Sequence, residues 1–220
     1  MNLKYSEELK KKFPDLQVLT TCIRGVKVEK KSRELEEFKK NVIGKVREEY
    51  NLDELKNTPI FRKYRDFFWE IGIDPTKTRP AAEALTRRIL QGESLPTINT
   101  LVDAYNLASL DSGIPLAAFD AEVLEGGLVM RFAREGEEFH GIGMSEPIHL
   151  DGGEIVTSDS EKLIAIYPYR DSDETKITLK TNNVILMTCG APGVKESTLK
   201  DAERTVINYV TRFCGGKVEE

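Results

Sequence analysis

The chain has 220 residues, 40% of them hydrophobic and 31% charged, with a net charge of −5 at neutral pH. That is enough apolar material for one large core. The acidic balance argues against a protein that coats nucleic acid indiscriminately, while leaving room for a local basic patch.

In chain order, Ser6 caps a short helix that ends at Phe13-Pro14, and residues 16–28 are rich in β-branched side chains, predicting a strand or a hairpin about Arg24-Gly25. Ser32 caps a long charged helix to about Tyr50, with Leu35, Phe38, Val42, Ile43 and Val46 on its apolar side. A short helical turn follows at 52–56, then a helix from Thr58-Pro59 through Trp69 and Glu70 to Gly72. Its Phe61, Tyr64, Phe67 and Phe68 read as core packing, not as a base-stacking platform.

The stretch 72–106 is the most specific text. Asp74-Pro75 opens a turn, because the residue before proline leaves the α region. Pro80 suits the first turn of a helix over 81–90, and Gly92 ends it. A second helix is expected from about Thr97, amphipathic, with Ile98, Leu101, Val102, Tyr105 and Ser109 in one stripe. Asn99, Asp103 and Asn106 form a polar row beside it. That row is either structural capping or one wall of a pocket. Lys77, Arg79, Arg87 and Arg88 are either a solvated face or a phosphate-contact surface.

Beyond Gly113 short β-type runs alternate with Gly and Pro turns: 116–119, 128–133, 138–142, 155–157, 163–169 and 184–189. A helix over about 195–214 closes the chain. Helices first, then an antiparallel or mixed sheet, then a covering helix is an α+β pattern. We divide it into an N-terminal helix and strand extension at 1–57, packed on the core, and a main domain at 58–220, the whole forming one compact unit.

Cys22, Cys189 and Cys214 are odd in number and widely spaced, as expected of buried reduced thiols. No apolar run reaches membrane-spanning length and the N-terminus lacks an apolar leader core, so no membrane partner is expected and a cytoplasmic location is the default. His140 and His149 have no cysteine or carboxylate cluster at ligand spacing, so neither a metal nor another cofactor is expected. No phosphate loop and no local nucleophile motif is present. The charged run 167–181, which holds Arg170, Asp171, Asp173, Glu174, Lys176, Thr178 and Thr181, reads either as a hairpin loop or as the rim of a cleft.

Three pieces of the chain carry a family resemblance: 74–80 with Ile98-Asn99, Leu101-Val102-Asp103 and Asn106; Gly113-Ile-Pro-Leu-Ala-Ala-Phe-Asp120 with 124–137; and 170–181 with the strand after it. Together they resemble the B3/B4 domain of the phenylalanyl-tRNA synthetase β subunit, in its short stand-alone form, over about Phe61 to Ala191. The resemblance implies an α+β fold and a cleft for an amino acid or the aminoacylated end of a tRNA. In the synthetases this domain hydrolyses tyrosine wrongly esterified to the phenylalanine tRNA, without a metal. Aligned back from Asn183-Val-Ile-Leu186, Asp173 falls on a pocket glutamate and Thr181 on a pocket threonine. These two become the expected catalytic residues. Asn99, Asp103, Asn106, Arg170 and Lys176 are the expected substrate contacts, and Lys77 and Arg79 the expected phosphate contacts. A pocket histidine of the synthetases is replaced by Ala117, and glycines beside the glutamate by Asp171 and Ser172. Two functions follow: tRNA or aminoacyl-tRNA binding with trans-editing hydrolysis, or non-catalytic binding of an amino acid, a small metabolite or RNA.

Overall fold

A computed structural model describes residues 3–219. In chain order the elements are β1 (Leu3–Tyr5), α1 (Glu7–Lys12), β2 (Val18–Arg24), α2 (Arg33–Glu49), α3 (Pro59–Glu70), α4 (Ala81–Leu90), α5 (Thr100–Ser112), β3 (Leu116–Asp120), β4 (Leu128–Phe132), β5 (Glu138–Phe139), β6 (Ile148–His149), β7 (Ile155–Ser158), β8 (Leu163–Ile166), β9 (Arg170–Asp171), β10 (Asn183–Cys189), α6 (Glu196–Cys214) and β11 (Lys217–Val218). The fold is α+β. One sheet is mixed and five-stranded, in the order β1-β4-β7-β8-β9, with β1 parallel to β4; another is antiparallel and four-stranded, in the order β11-β2-β10-β3.

Two strand rows set the architecture. In the four-stranded sheet Ala117 of β3 lies opposite Met187 of β10. In the five-stranded sheet Met130, Thr157, Ala165 and Asp171 are successive cross-strand neighbours on β4, β7, β8 and β9. Side chains alternate between faces along a strand, so each row shares one face. Met130 and Ala165 join Ala117 and Met187 in the main apolar core, so these two faces look inward at each other. On the opposite face of the five-stranded sheet, Val156 and Ile166 cover Phe139 and Leu150 as a separate small cluster.

The segment before residue 58 is woven into both sheets. β1 pairs with β4, and β2 pairs with β10 along seven residues, between β10 and β11. Gly25 leaves β2 at φ +73°, so the segment 16–28 forms a single strand followed by a turn, not a hairpin. Phe61, Tyr64, Phe67 and Phe68 of α3 are buried, while Trp69 is exposed.

The helix expected from Thr97 begins three residues later, at Thr100, and its pattern differs from a single stripe. Ile98 lies ahead of the helix and is exposed, whereas Thr100 to Ala104 and Leu107 to Leu110 are buried. A helix covered on most sides has no amphipathic pattern to read. α2, α4 and α6 enclose it, and Gly113, in the left-handed conformation at φ +69°, ends it.

Candidate functional site

Asn99 and Asp103 hold the start of α5 together. The Asn99 side chain accepts from the Val102 N–H at 2.9 Å and reaches the Ile177 carbonyl at 3.4 Å. Asp103 Oδ1 accepts from the Ile98 N–H at 2.9 Å, while its Oδ2 lies 3.2 Å from Lys39 Nζ in an ion pair buried on both sides. The carboxylate thus ties the segment leading into α5 to the helix and locks both to α2, while Asn99 is the cap. Of the polar row, Asn106 faces a groove instead.

That groove, of about 570 Å³, runs between the 74–80 turn, α4 and Asn106. Asp74 builds the turn: its side chain accepts from the Thr76 N–H at 2.8 Å, and its carbonyl accepts from the Lys77 and Thr78 N–H groups. Arg65 of α3 clamps the same region through the fully buried Glu83 at 2.9 Å. With the backbone fixed in this way, Lys77 and Arg79 project into the groove and form no ion pair among the described residues. Arg87 joins them, its Nε buried without a hydrogen-bond partner. Arg88 is paired with Glu93 at 3.0 Å. The groove therefore carries three cations, Lys77, Arg79 and Arg87, that form no ion pair among the described residues.

The segment 170–181 distributes its residues to two sides. Arg170 points outward and lies over Gly141, where any side chain would sit 2.7 Å from the arginine Cγ; its guanidinium donates to the Ile142 carbonyl at 3.3 Å. Asp173 is held on the surface by Lys176, 2.7 Å away. Thr181 is buried, donating to Asp120 Oδ2 at 2.6 Å and accepting from the Thr178 N–H at 3.0 Å. These contacts shape the 178–181 turn against β3. Asp173 and Thr181 are thus not brought together in one pocket.

Asp171, between Arg170 and Ser172, points inward. It borders a cavity of about 70 Å³ between the two sheets, with Ala117 and Met187 on one side and Ala165 on the other. Tyr167, Pro168, Tyr169 and Cys189 complete its walls, and Ala81 separates it from the groove. Burial pushes the Asp171 carboxyl up to about 7, with the Arg170 charge opposing the shift. Burial raises the Cys189 thiol first and the Asp171 charge second, which makes it an inert wall and not a nucleophile. Burial also raises Tyr105 on α5, with the Asp171 and Asp103 charges adding to it.

Asp171 belongs to the charged run read as a possible cleft rim but is not among the expected substrate contacts, and it is the residue of that run that borders the cavity. The available signal was its place beside the pocket glutamate in the family register. Its strand is two residues long inside a charged run, so no alternation marks the inward side. No group of three or more His, Cys, Asp or Glu among the described residues is placed to hold a metal. No described helix is long and apolar enough to cross a membrane.

Comparison with known proteins gives the family and the fold. The chain is 37% identical to the phenylalanine–tRNA ligase beta subunit of Protochlamydia amoebophila (strain UWE25) over 98 residues, which is 44% of this chain and 12% of that subunit. It is 35% identical to the same subunit of Nocardia farcinica (strain IFM 10152) over 115 residues, 52% of this chain and 13% of that subunit. The match thus spans a small part of those relatives. An N-terminal fragment of the phenylalanyl-tRNA synthetase beta-subunit from Pyrococcus horikoshii shares the fold with a TM-score of 0.55 at 13% identity, covering 99% of this chain and 50% of that one. The family model described as the B3/4 domain matches residues 63–215, a span that takes in the groove, the cavity and the segment carrying Asp171. The chain belongs to the B3/4 domain family.

Proposed function

We propose that this protein is a tRNA-binding module that takes the aminoacylated end of a tRNA, with RNA phosphate along the Lys77, Arg79 and Arg87 groove and the amino acid directed into the cavity beside Ala117 and Asp171. One observation carries the reading: the cationic groove and the cavity adjoin at Ala81. A ligand that is polyanionic at one end and amphiphilic at the other fits such a pair. Groups that grip phosphate without ion-pair partners of their own lose nothing internal on binding. The relatives are beta subunits of phenylalanine–tRNA ligases, which agrees with the reading.

Salt titration of tRNA affinity tests it. Each phosphate contact on a single strand contributes a slope of about −0.7 in log K against log salt. The triple substitution Lys77→Ala, Arg79→Ala, Arg87→Ala should weaken tRNA binding and flatten that slope by up to about 2. A flat salt dependence in the unmodified protein would refute the RNA reading and favour a small-molecule ligand. Incubation with a panel of aminoacyl-tRNAs decides whether binding leads to ester hydrolysis: release of amino acid above background makes the module an editing hydrolase. With Ala117 in place of the family's histidine, hydrolysis here relies on a positioned water.

The second reading is a receptor for a free amino acid or small metabolite. The acidic balance of the chain, −5 at neutral pH, favours it over a polyanionic partner. Thermal-shift screening of amino acids and nucleosides separates the two.

A further inference from the structure

We infer that Asp171 makes the inter-sheet cavity a receptor for an ammonium group, so that the ligand this protein holds there is a primary amine. The inference rests on the cavity being the binding site of the proposed function, and it names the chemistry that the cavity reads.

Asp171 brings a carboxylate to the inward face of a five-stranded sheet, in the row Met130, Thr157, Ala165, Asp171. Inward rows between packed sheets are ordinarily apolar, and the Asp171 carboxylate, half-buried at the edge of the cavity, is costly there unless something pairs with it. None of the ion pairs among the described residues includes Asp171. The nearby cation, Arg170, is turned to the outer face and engaged with the Ile142 carbonyl. Space for a partner is built in: Ala165 stands beside Asp171 in its own sheet and Ala117 lines the facing one, where larger side chains would close the cavity.

The walls suit an alkylammonium. The aromatic residues Tyr167 and Tyr169, with Pro168 and Met187, line the cavity with largely apolar surface that can pack methylenes or offer an aromatic face to a cation. The groups near the carboxylate are Arg170 and Tyr169 on its own segment, Tyr167 at the end of β8, Cys189 on β10 and Tyr105 on α5. Burial pushes the thiol and both Tyr105 and Tyr167 upward, so these three stay neutral around pH 7. Asp171 alone among the cavity groups named here changes charge there, since its carboxyl lies at about 7. An alkylammonium titrates near the lysine value, ~10.4, and stays charged throughout.

The test uses ethylamine as the probe and ethanol as its uncharged isostere, followed by the backbone amide resonances of Ala117, Ala165 and Asp171. Ethylamine should shift these resonances saturably, with an affinity in the millimolar range expected of about three non-hydrogen atoms. Its affinity should rise about tenfold between pH 6 and pH 8 as a carboxyl at about 7 ionises. Ethanol should shift nothing. Asp171→Asn, close in shape but neutral, should abolish the response, and Ala117→Val should do so by filling the cavity while keeping the carboxylate. A native-like amide spectrum for each variant excludes misfolding as the cause. Absence of saturable shifts at pH 8, or an Asp171→Asn protein that binds ethylamine as tightly as the original, overturns the inference. tRNA retention is measured on the same preparations. tRNA binding without an amine response sinks the ammonium site alone; amine binding without tRNA retention sinks the RNA reading and leaves an amine receptor.

Discussion

Asp171 is stabilised in solution far better than between two sheets, and that asymmetry has a measurable consequence. Its carboxyl rises from the ordinary 3.8 to about 7 in the folded chain. Between those values the native state holds a proton that the unfolded state has lost. Stability therefore falls as pH rises from about 4 to about 7 through this group, and is level above that. Carboxylates held below their ordinary range act oppositely: Glu137 beside Arg131, and Asp159, whose backbone N–H donors outweigh its burial. Their stabilisation is complete above the unfolded value and is lost only as pH drops through the folded one. The contribution of Asp171 is isolated by comparing urea denaturation of the protein and of Asp171→Asn at several pH values. The variant should gain relative stability as pH rises from about 4 to about 7. A difference independent of pH would show that the carboxyl titrates as if exposed. Much of the residue scale was legible in advance, since Ser6 and Ser32 cap their helices as their positions suggest. The roles of Asn99 and Asp103 were not decidable, because a capping side chain and a pocket side chain are the same residue types at the same spacing.

At the scale of elements, α5 depends on the contact between Asp103 and Lys39. Both side chains are nearly inaccessible, at 2% and 8% exposure, and they lie 3.2 Å apart. Removing one partner leaves the other charged and buried, at a cost of about 3–5 kcal/mol. Asp103→Ala should approach the lower end of that range, because Glu36 stays 3.0 Å from Lys39. Asp103→Asn retains an acceptor for the Ile98 N–H and should cost less. Denaturant midpoints of the two variants check the order, and equal values would place the energy in the charge and not in the acceptor for the Ile98 N–H. The element boundaries were legible wherever a local signal existed, as in α2, α3, α4, α6 and β10. They were not where pairing is long-range or short. β1 is three residues in parallel register with β4, and β9 is two residues inside a charged run, so neither carries a period that distinguishes it from loop.

For the whole molecule, the α+β class followed from the order of helices and strand-like runs, but the dependence of the core on the first 57 residues did not. β2 is an inner strand whose seven pairs with β10 separate that strand from β11, and its Cys22 and Ile23 lie in the main core. Nothing in the local composition of 18–24 distinguishes an inner strand from an added edge, because both are β-branched and half apolar. Physically the difference is large. Without β2 the inner edge of β10 presents unpaired N–H and C=O groups over an apolar sequence, a template for aggregation. The core also loses Leu9, Phe13 and Leu16, which pack beside it. A chain beginning at Pro59 should therefore fail to give a dispersed amide spectrum and should associate, even though the family match begins at residue 63. If it folds instead and keeps the resonances of Ala117 and Asp171 in place, the extension is an accessory layer, and the cavity between the sheets is a property of the B3/4 domain by itself. If it does not, the cavity that Asp171 borders is held open by a sheet that the N-terminal segment completes, and substitutions along β2 should alter ligand binding without touching a cavity residue.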